Sequence, residues 1–336
     1  MPLNFKSLSD FSAIAATMPI ADEGVRAQAL ARQSNLTKPP GSLGRLEDLA
    51  VFMAGWRGTA RPKIARAQAL IFAGNHGVCA QGVNPYPQEV TAQMVANFQS
   101  GGAAINQLCR ANGADLQVVA LDLNRPTADF TAHAAMTETE VLAALRAGED
   151  AVDIAADVLI LGEMGIGNST VAAALCASIF GGGAEAWVGA GTGADAAGQA
   201  RKVAAIEAGL SRHNSPKGMA ALAAFGGREQ AAICGAVLAA RVKSIPVVLD
   251  GFICTAAVAP LFSVAPSLLD HCLIGHLSAE KGHRKLLAEM DKSAILEMDM
   301  RLGEGSGAAL ALGILRGALA CHNGMATFAE AGVSGA

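Results

Sequence analysis

Short apolar runs without charged residues recur along the chain, separated by long alanine-rich stretches with helical spacing. Such runs are typical of strands buried on both faces, and strands that alternate with helices are typical of parallel sheets. The sequence therefore predicts an α/β fold, a doubly wound, mainly parallel sheet covered by helices. The predicted strands are 70–73, 116–121, 158–161, 187–189, 245–249 and 272–274.

Ligands of open parallel sheets bind outside the carboxyl ends of the strands. The residues that follow the predicted strands are therefore the first candidates for chemistry. They are His76, Glu163, Gly191, Asp250 and Ser278.

The two ends of the chain lack strand runs and show helical spacing instead. We expect residues 1–60 and 308–336 to form one small helical domain. Residues 61–300 are expected to form a large α/β nucleotide-binding domain. Residues 125–139 are predicted to be an exposed loop because they combine a proline with scattered polar residues.

Composition narrows the possible partners. Hydrophobic residues make up 52% of the 336 residues and the net charge is −4, which predicts a large core and argues against nucleic-acid binding. The longest apolar stretches, 231–240 and 308–315, are shorter than the roughly 20 residues that a membrane-spanning helix needs. The low net charge makes a small-molecule partner the expectation. The first residues lack a basic start followed by an apolar run, which is the pattern of a secretory signal, so a cytoplasmic protein is expected.

Cysteine and histidine patterns predict neither a disulfide framework nor a metal site. The seven cysteines are widely spaced without a CxxC pair. Four histidines, His76, His271, His276 and His283, do not share metal-ligand spacing. We expect no bound metal.

The glycine-rich segment GEMGIGNST, residues 162–170, follows the third predicted strand and precedes a helical run. Glycine turns at helix N-termini offer free backbone amides to an anion, so this segment is a candidate phosphate site. Asn168 occupies the position of the lysine in the GxxxxGK[ST] pattern, which favours one phosphate over three. The alternative is a plain strand-to-helix turn capped by Ser169 or Thr170.

A second glycine cluster, GAGTG at 189–193, leads towards Lys202. The dinucleotide-binding fingerprint is incomplete here, so the cluster is weak by itself. Lys202 could supply the positive charge that the first cluster lacks if its helix folds back over the same strand ends. The alternative is a solvated pair with Arg201.

A third segment, RLGEGSG at 301–307, places one carboxylate, Glu304, between glycines just before an apolar helix. Flanking glycines leave the acid uncrowded and let a planar ligand approach, so Glu304 is a candidate base. The alternative is an acid stabilised by the helix dipole, worth about 0.3–1 kcal/mol.

Eight segments, in order over nearly the full length, carry a family resemblance. They are LTKPPGSLGRLE from Leu36, GNHGV from Gly74, YPQEVT from Tyr86, NFQSGGAAIN from Asn97, GEMGIGNST from Gly162, PVVLDGF from Pro246, MRLGEGSGAALAL from Met300 and MATFAEAGV from Met325. Together they resemble the nicotinate-nucleotide:dimethylbenzimidazole phosphoribosyltransferase family. The resemblance implies a homodimer whose subunits have a parallel-sheet large domain and a small helical domain built from both termini.

The reaction implied by this resemblance moves phosphoribose from nicotinate mononucleotide to dimethylbenzimidazole, with inversion. The products are α-ribazole phosphate and nicotinate, in the synthesis of the cobalamin lower ligand, and no cofactor takes part. Two other functions stay open at this point. One is a nucleotide-dependent kinase or NTPase, and the other is a non-catalytic nucleotide-binding protein of the same fold.

The resemblance also implies roles for residues of this chain. Glu304 is the implied catalytic base, and Glu163 is implied either to bind the ribose or to support its developing positive charge. The implied nucleotide and phosphate site comprises Glu163, Gly165, Gly167, Asn168, Ser169, Gly191, Thr192, Gly193 and Lys202. The residues assigned to the benzimidazole pocket are Gln88, Met164, Leu302 and Gly303.

Overall fold

A six-stranded, fully parallel sheet in the order β2-β1-β3-β4-β5-β6 forms the centre of the molecule. The computed structural model describes residues 3, 5–191 and 193–334. This sheet confirms the predicted α/β fold class. The strands are β1 (Ala67–Ala73), β2 (Ala114–Ala120), β3 (Val158–Met164), β4 (Val247–Leu249), β5 (Cys272–Leu277) and β6 (Ala294–Glu297).

Fifteen α-helices surround the sheet within the described part of the chain. Four short 3-10 segments, 8–10, 77–81, 184–186 and 266–269, link some of these elements. The helices are α1 (Phe11–Ala15), α2 (Glu23–Asn35), α3 (Arg45–Arg57), α4 (Glu89–Ser100), α5 (Ala104–Asn112), α6 (Glu138–Ala151), α7 (Asn168–Phe180), α8 (Ala196–His213), α9 (Gly218–Phe225), α10 (Arg228–Val242), α11 (Phe252–Ala257), α12 (Ala259–Val264), α13 (Lys281–Glu289), α14 (Ser306–Gly324) and α15 (Phe328–Ala331).

The alternation of side chains along β1 explains why both faces of the sheet are covered. Leu70 and Phe72 belong to the core under α6, α7 and α10, whereas Ala69 and Ile71 belong to the core under α3, α5 and α14. Successive strand residues point to opposite faces, so an unbroken apolar run needs helices on both sides. Every residue of β1 is buried.

Five of the six predicted strands are confirmed, but the strand predicted at 187–189 is wrong. Trp187 ends a 3-10 turn, and its Nε1 donates to the Gly181 carbonyl oxygen at 2.7 Å. Its ring packs on Phe180 with the centroids 5.9 Å apart. The neighbours of β3 in the sheet are β1 and β4, which leaves no place beside β3 for a strand here. Burial of one large aromatic side chain produced the apolar run.

Strand β6 was not predicted because it has four residues and lies at the sheet edge, where its residues are half-buried or exposed. The prediction for 125–139 was partly wrong. This segment is irregular up to Thr137, where α6 is capped, but Phe130 is buried against Phe225. The apolar side chain anchors the loop to the core, so its middle is not exposed.

The two chain ends are helical and meet each other, as an isolated bridge between Leu36 and Thr327 shows. Helix α14 also packs on the sheet, because Leu312 shares a core with Ile71 and Val248. The division into a 1–60 plus 308–336 domain and a 61–300 domain stays a prediction. No helix in the described part of the chain is long and apolar enough to cross a membrane.

Candidate active site

One cavity lies at the carboxyl edge of the sheet, where β3, β4 and β5 end. It contains about 750 Å³ of space, part of it open to solvent. Its wall brings together the turn after β3, the residues after β4 and β5, and the loop before α14. The lining residues are 83–85, 163–169, 250–253 and 301–304, with Gly191, Lys202, His276, Ser278 and Glu280.

The turn from β3 into α7 presents backbone amides to this cavity. Gly167 precedes the helix with a φ of 93°, a left-handed conformation that favours glycine. Among the described residues, the amides of Gly167 and Ser169 have no hydrogen-bond partner. Gly165 must also be glycine, because a Cβ there would lie 2.9 Å from His76 Nε2. The turn is therefore built as an open helix N-terminus, the arrangement that binds anions.

Asn168 begins α7 with its side chain directed towards Glu163. Its side-chain amide donates to Glu163 Oε2, and its backbone amide donates to the Gly165 carbonyl oxygen at 3.1 Å. The backbone N–H and one N–H of the side-chain amide are thus used inside the protein. The geometry therefore favours Asn168 as a support for Glu163 rather than as a direct phosphate contact.

Glu163 is a buried carboxyl group surrounded by other acids. Burial, and then the negative charges of Asp250 and Glu229, raise the pKa of Glu163 to about 8, although the hydrogen bond from Asn168 opposes the shift. The group is therefore mainly protonated at neutral pH. A protonated carboxyl can donate a hydrogen bond as well as accept one.

Lys202 on α8 reaches back over the α7 turn. Its Nζ lies 3.1 Å from Ser169 Oγ and 3.3 Å from the Gly189 carbonyl oxygen, and the side chain is 3% exposed. Burial lowers the pKa of Lys202, while the negative charge of Glu280 opposes that shift. The two glycine clusters, distant in sequence, thus share one cation.

The second cluster enters the site only in part. Gly191 lines the cavity, and a Cβ there would lie 2.9 Å from Lys202 Nζ. Gly193 has a φ of 117° but is not part of the cavity wall. Thr192, assigned to the phosphate site, lies outside the described residues.

Glu304 lies in the loop before α14 with a φ of 62° and is 8% exposed. Burial, and then the charge of Asp250, raise the pKa of Glu304 to about 7. Burial and the neighbouring charge therefore outweigh any stabilisation of this carboxylate by the helix dipole. Its pKa matches that of a general base working near neutral pH.

The residues assigned to the base pocket are brought together incompletely. Met164 and Gly303 line the cavity, and Leu302 lies at its rim with 53% of its surface exposed. Gln88 is not part of the cavity wall, and its side-chain amide donates to the His76 carbonyl oxygen. The preceding residues 83–85 line the cavity instead.

The sequence assigned no role to several further polar residues of the cavity wall, Asn84 among them. Asp250 and Ser278 follow β4 and β5, so their positions at strand ends were a usable signal. His276 lies inside β5, and Glu280 and Arg301 lie in loops without any pattern that marks them. These three required the tertiary structure.

Known proteins are similar to this chain over nearly its full length. The phosphoribosyltransferase family model matches residues 18–333. The chain is 66% identical over 332 residues to the nicotinate-nucleotide–dimethylbenzimidazole phosphoribosyltransferase of Rhodobacter capsulatus, covering 99% of both chains. It is 58% identical over 327 residues to the enzyme of that name from Ruegeria pomeroyi, covering 97% of both.

A solved structure is also similar. The crystal structure of the nicotinate-nucleotide–dimethylbenzimidazole phosphoribosyltransferase from Thermus thermophilus aligns with a TM-score of 0.86 at 40% identity. The alignment covers 94% of this chain and 100% of that chain. Sequence and fold therefore point to the same group of enzymes.

Proposed function

The chain belongs to the nicotinate-nucleotide–dimethylbenzimidazole phosphoribosyltransferases, and we propose that its reaction uses Glu304 as base and Lys202 with the α7 turn as phosphate site. The reaction transfers phosphoribose from nicotinate mononucleotide to dimethylbenzimidazole and gives α-ribazole phosphate and nicotinate. It belongs to the synthesis of the cobalamin lower ligand. One observation carries the assignment of roles: a single cavity holds an isolated base with a pKa of about 7 and an open helix N-terminus with a buried lysine.

The charge balance of the reaction explains why one base is sufficient. Nicotinate leaves from a pyridinium nitrogen, so its departure neutralises a positive charge and needs no general acid. The attacking azole gains a positive charge when its unprotonated nitrogen forms the new bond. The proton on its other nitrogen must then be accepted by a base.

Glu304 is suited to accept that proton. Its carboxyl lies in the wall of the cavity, between glycines that leave room for a flat ring. Met164, Gly303 and Leu302 provide the mainly apolar surroundings that a benzimidazole requires. We assign the benzimidazole to the space between the loop before α14 and the end of β3.

The phosphate is assigned to the opposite wall of the cavity. The amides of Gly167 and Ser169 and the Lys202 ammonium converge there, and a dianion would compensate the buried cation. Gly165 and Gly191 allow the close approach of the backbone. Lys202 supplies a cation to this wall, which suits a monophosphate.

Glu163 lies between these two walls and is assigned to the ribose. Because its pKa is raised to about 8, its protonated carboxyl can donate to a ribose hydroxyl near neutral pH. Stabilisation of a positive charge on the sugar would instead require the ionised form. The environment therefore favours the hydrogen-bonding role.

Direct attack opposite the leaving group converts a β-glycoside into an α-glycoside. A single displacement with inversion therefore needs no nucleophile from the protein. We further propose a homodimer of two-domain subunits that works in the cytoplasm. The resemblance to the family supports the dimer, and sedimentation or light scattering of the purified protein would measure it.

Product analysis tests the function directly. The purified enzyme is incubated with nicotinate mononucleotide and a panel of bases including dimethylbenzimidazole, adenine and a phenol. We expect nicotinate release that depends on the added base, with an α-configured product from dimethylbenzimidazole. A β product would contradict the single displacement. Absence of nicotinate release, together with thermal stabilisation by ATP and magnesium, would favour a nucleotide-dependent kinase or NTPase instead.

A further inference from the structure

Asp250 joins the end of β4 to the start of α14. Its Oδ2 accepts a hydrogen bond from the Gly305 amide at 3.1 Å, and its Oδ1 accepts one from the Ala308 amide at 3.0 Å. The side chain is 1% exposed. Gly305 precedes the helix and has no side chain to cap it, so a carboxylate 55 residues earlier in the chain performs this role.

His276 on β5 lies against Asp250 from the other side. Its Nδ1 lies 3.3 Å from Asp250 Oδ1, and both side chains are 1% exposed. A Cβ on either Gly251 or Gly307 would overlap the imidazole. The ring therefore occupies space that two glycines leave empty, which holds it against the carboxylate.

The backbone that Asp250 holds belongs to the loop that carries Glu304, the proposed base. Gly303, Glu304 and Gly305 have φ values of 83°, 62° and 77°. The left-handed conformation costs a residue such as Glu about 1–2 kcal/mol. Such strain persists only where the surroundings fix it. Ser306 fixes one side by donating from its amide and its hydroxyl to the Gly303 carbonyl oxygen at 3.1 and 2.7 Å, and Asp250 fixes the other.

The charged groups around Glu304 give Asp250 a second effect. Asp250 and His276 face the loop from the ends of β4 and β5, Glu163 faces it from β3, and Arg301 begins it. Of these, Asp250 is the neighbouring charge that raises the pKa of Glu304. The carboxylate that orients the base also increases its affinity for a proton.

We propose that Asp250, supported by His276, is a positioning residue that holds Glu304 in the orientation from which it accepts the azole proton. Asp250 acts through the backbone of the loop and does not take the proton itself. The proposal rests on the assignment of Glu304 as base.

The variant Asp250→Asn tests this. Asparagine has the same shape but one acceptor oxygen, so it can keep at most one of the two backbone hydrogen bonds. We expect kcat to fall about 10- to 100-fold because the base is displaced. The KM for nicotinate mononucleotide should change less than about threefold, since the phosphate wall is untouched.

The pH dependence of kcat/KM separates positioning of the base from a purely structural role, because loss of a structural role would leave the pH profile unchanged. In the wild type we expect kcat/KM to fall below a pH of about 7, as Glu304 becomes protonated. Removal of the Asp250 charge should lower the pKa of Glu304, so the fall should move to lower pH by about half a unit or more. An unchanged pH profile in a folded variant would overturn the proposal.

A double-mutant cycle with Glu304→Gln separates this proposal from the assignment of the base. If Asp250 acts through Glu304, Asp250→Asn should reduce kcat by less than about twofold in the Glu304→Gln background. If the kcat losses of the two single variants instead multiply in the double variant, the positioning role is overturned and the base assignment stays intact. Full activity of Glu304→Gln alone would overturn both.

Asp157 offers a matched control. Its Oδ2 accepts hydrogen bonds from the amides of Ala65 and Arg66 at 2.8 and 2.9 Å, at the opposite edge of the sheet. Asp157→Ala removes both backbone hydrogen bonds and the ion pair with Arg57, so it should lower thermal stability while leaving kcat and the pH profile unchanged. A kcat loss equal to that of Asp250→Asn would show a general effect of lost backbone contacts and overturn the proposal.

His276→Phe decides the matter if Asp250→Asn does not fold. Phenylalanine keeps the ring volume between Gly251 and Gly307 but removes the nitrogen beside Asp250. We expect kcat to fall about threefold to tenfold with an unchanged KM for nicotinate mononucleotide. Wild-type kcat in this variant would overturn the supporting role of His276, and an increased KM with wild-type kcat would place the pair at the nucleotide instead.

Discussion

Two helices begin at the cavity in the same way and serve opposite purposes. Helix α7 follows Gly167 and helix α14 follows Gly305, with φ values of 93° and 77°. Neither glycine can cap its helix with a side chain. From the local backbone alone, both turns would be candidate anion sites.

The difference lies in what fills each helix start. Asp250 accepts from two amides at the start of α14, so a carboxylate of the protein already occupies that position. The start of α7 has no such carboxylate among the described residues, and Lys202 adds a positive charge beside it. We therefore propose that the α14 turn presents the base and that the α7 turn binds the substrate phosphate. An internal anion decides between these uses, not the glycine pattern.

Loss of the base should have the largest effect. Glu304→Gln keeps the side-chain length and the strained backbone but cannot accept the azole proton. We expect kcat to fall by about 10² to 10⁴, since this is the usual contribution of a positioned base. Binding of nicotinate mononucleotide, measured by calorimetry, should stay within about threefold of wild type. Near-normal turnover in the folded variant would mean that the α14 turn does not present the base.

Loss of the cation at the other turn should have an intermediate effect on a different parameter. Lys202→Ala removes the charge beside Ser169, so we expect the KM for nicotinate mononucleotide to rise about 10- to 100-fold. Arg201→Ala is the matched control, because Arg201 is the adjacent residue on α8 and its Nε donates to the Gly82 carbonyl oxygen on the surface. A defect confined to the KM for dimethylbenzimidazole would reverse the assignment of the two turns.

The smallest expected effect is a change in melting temperature when Glu163, which lies between the two turns, is replaced. Its pKa is raised from 4.5 to about 8, so its contribution to stability is full below pH 4.5 and is lost as the pH rises through about 8. Glu163→Gln stays neutral, and we expect it to melt about 2–4 °C above wild type at pH 8.5. At about pH 5 the difference should be much smaller, since both folded states are then neutral. Equal melting temperatures at both pH values would show that the carboxyl is not held protonated by its surroundings.

The sheet could be predicted because parallel strands that are buried on both faces appear in the sequence as continuous apolar runs. Strand β1 is apolar at nearly every position since helices cover both of its faces. The error at Trp187 shows the limit of that signal, because a buried aromatic side chain in a loop gives the same short apolar run. Strand β6 shows the opposite limit, since an edge strand of four residues needs no apolar pattern.

The candidate site was predictable where local chemistry marks it. Glu304 stands alone between glycines, and the GEMGIGNST segment follows a strand, so both could be recognised without a structure. The hydrogen bond from Asn168 to Glu163 was not recognisable, because nothing in the local sequence shows that the two side chains meet. Gln88 likewise has its amide directed to His76 rather than into the cavity.

The α/β architecture, the glycine turns at the ends of the strands and the acid at position 304 can all be recognised in the amino-acid sequence, because they depend on local propensity and spacing. The three-dimensional fold was needed to show that Asp250 closes the α14 turn while the α7 turn keeps free amides, and the fold also raises the pKa of Glu304 to about 7. Hydrogen bonds and charge interactions act through space, so spacing along the chain does not reveal them. Asp250 and Gly305 are 55 residues apart in the chain and 3.1 Å apart in the fold.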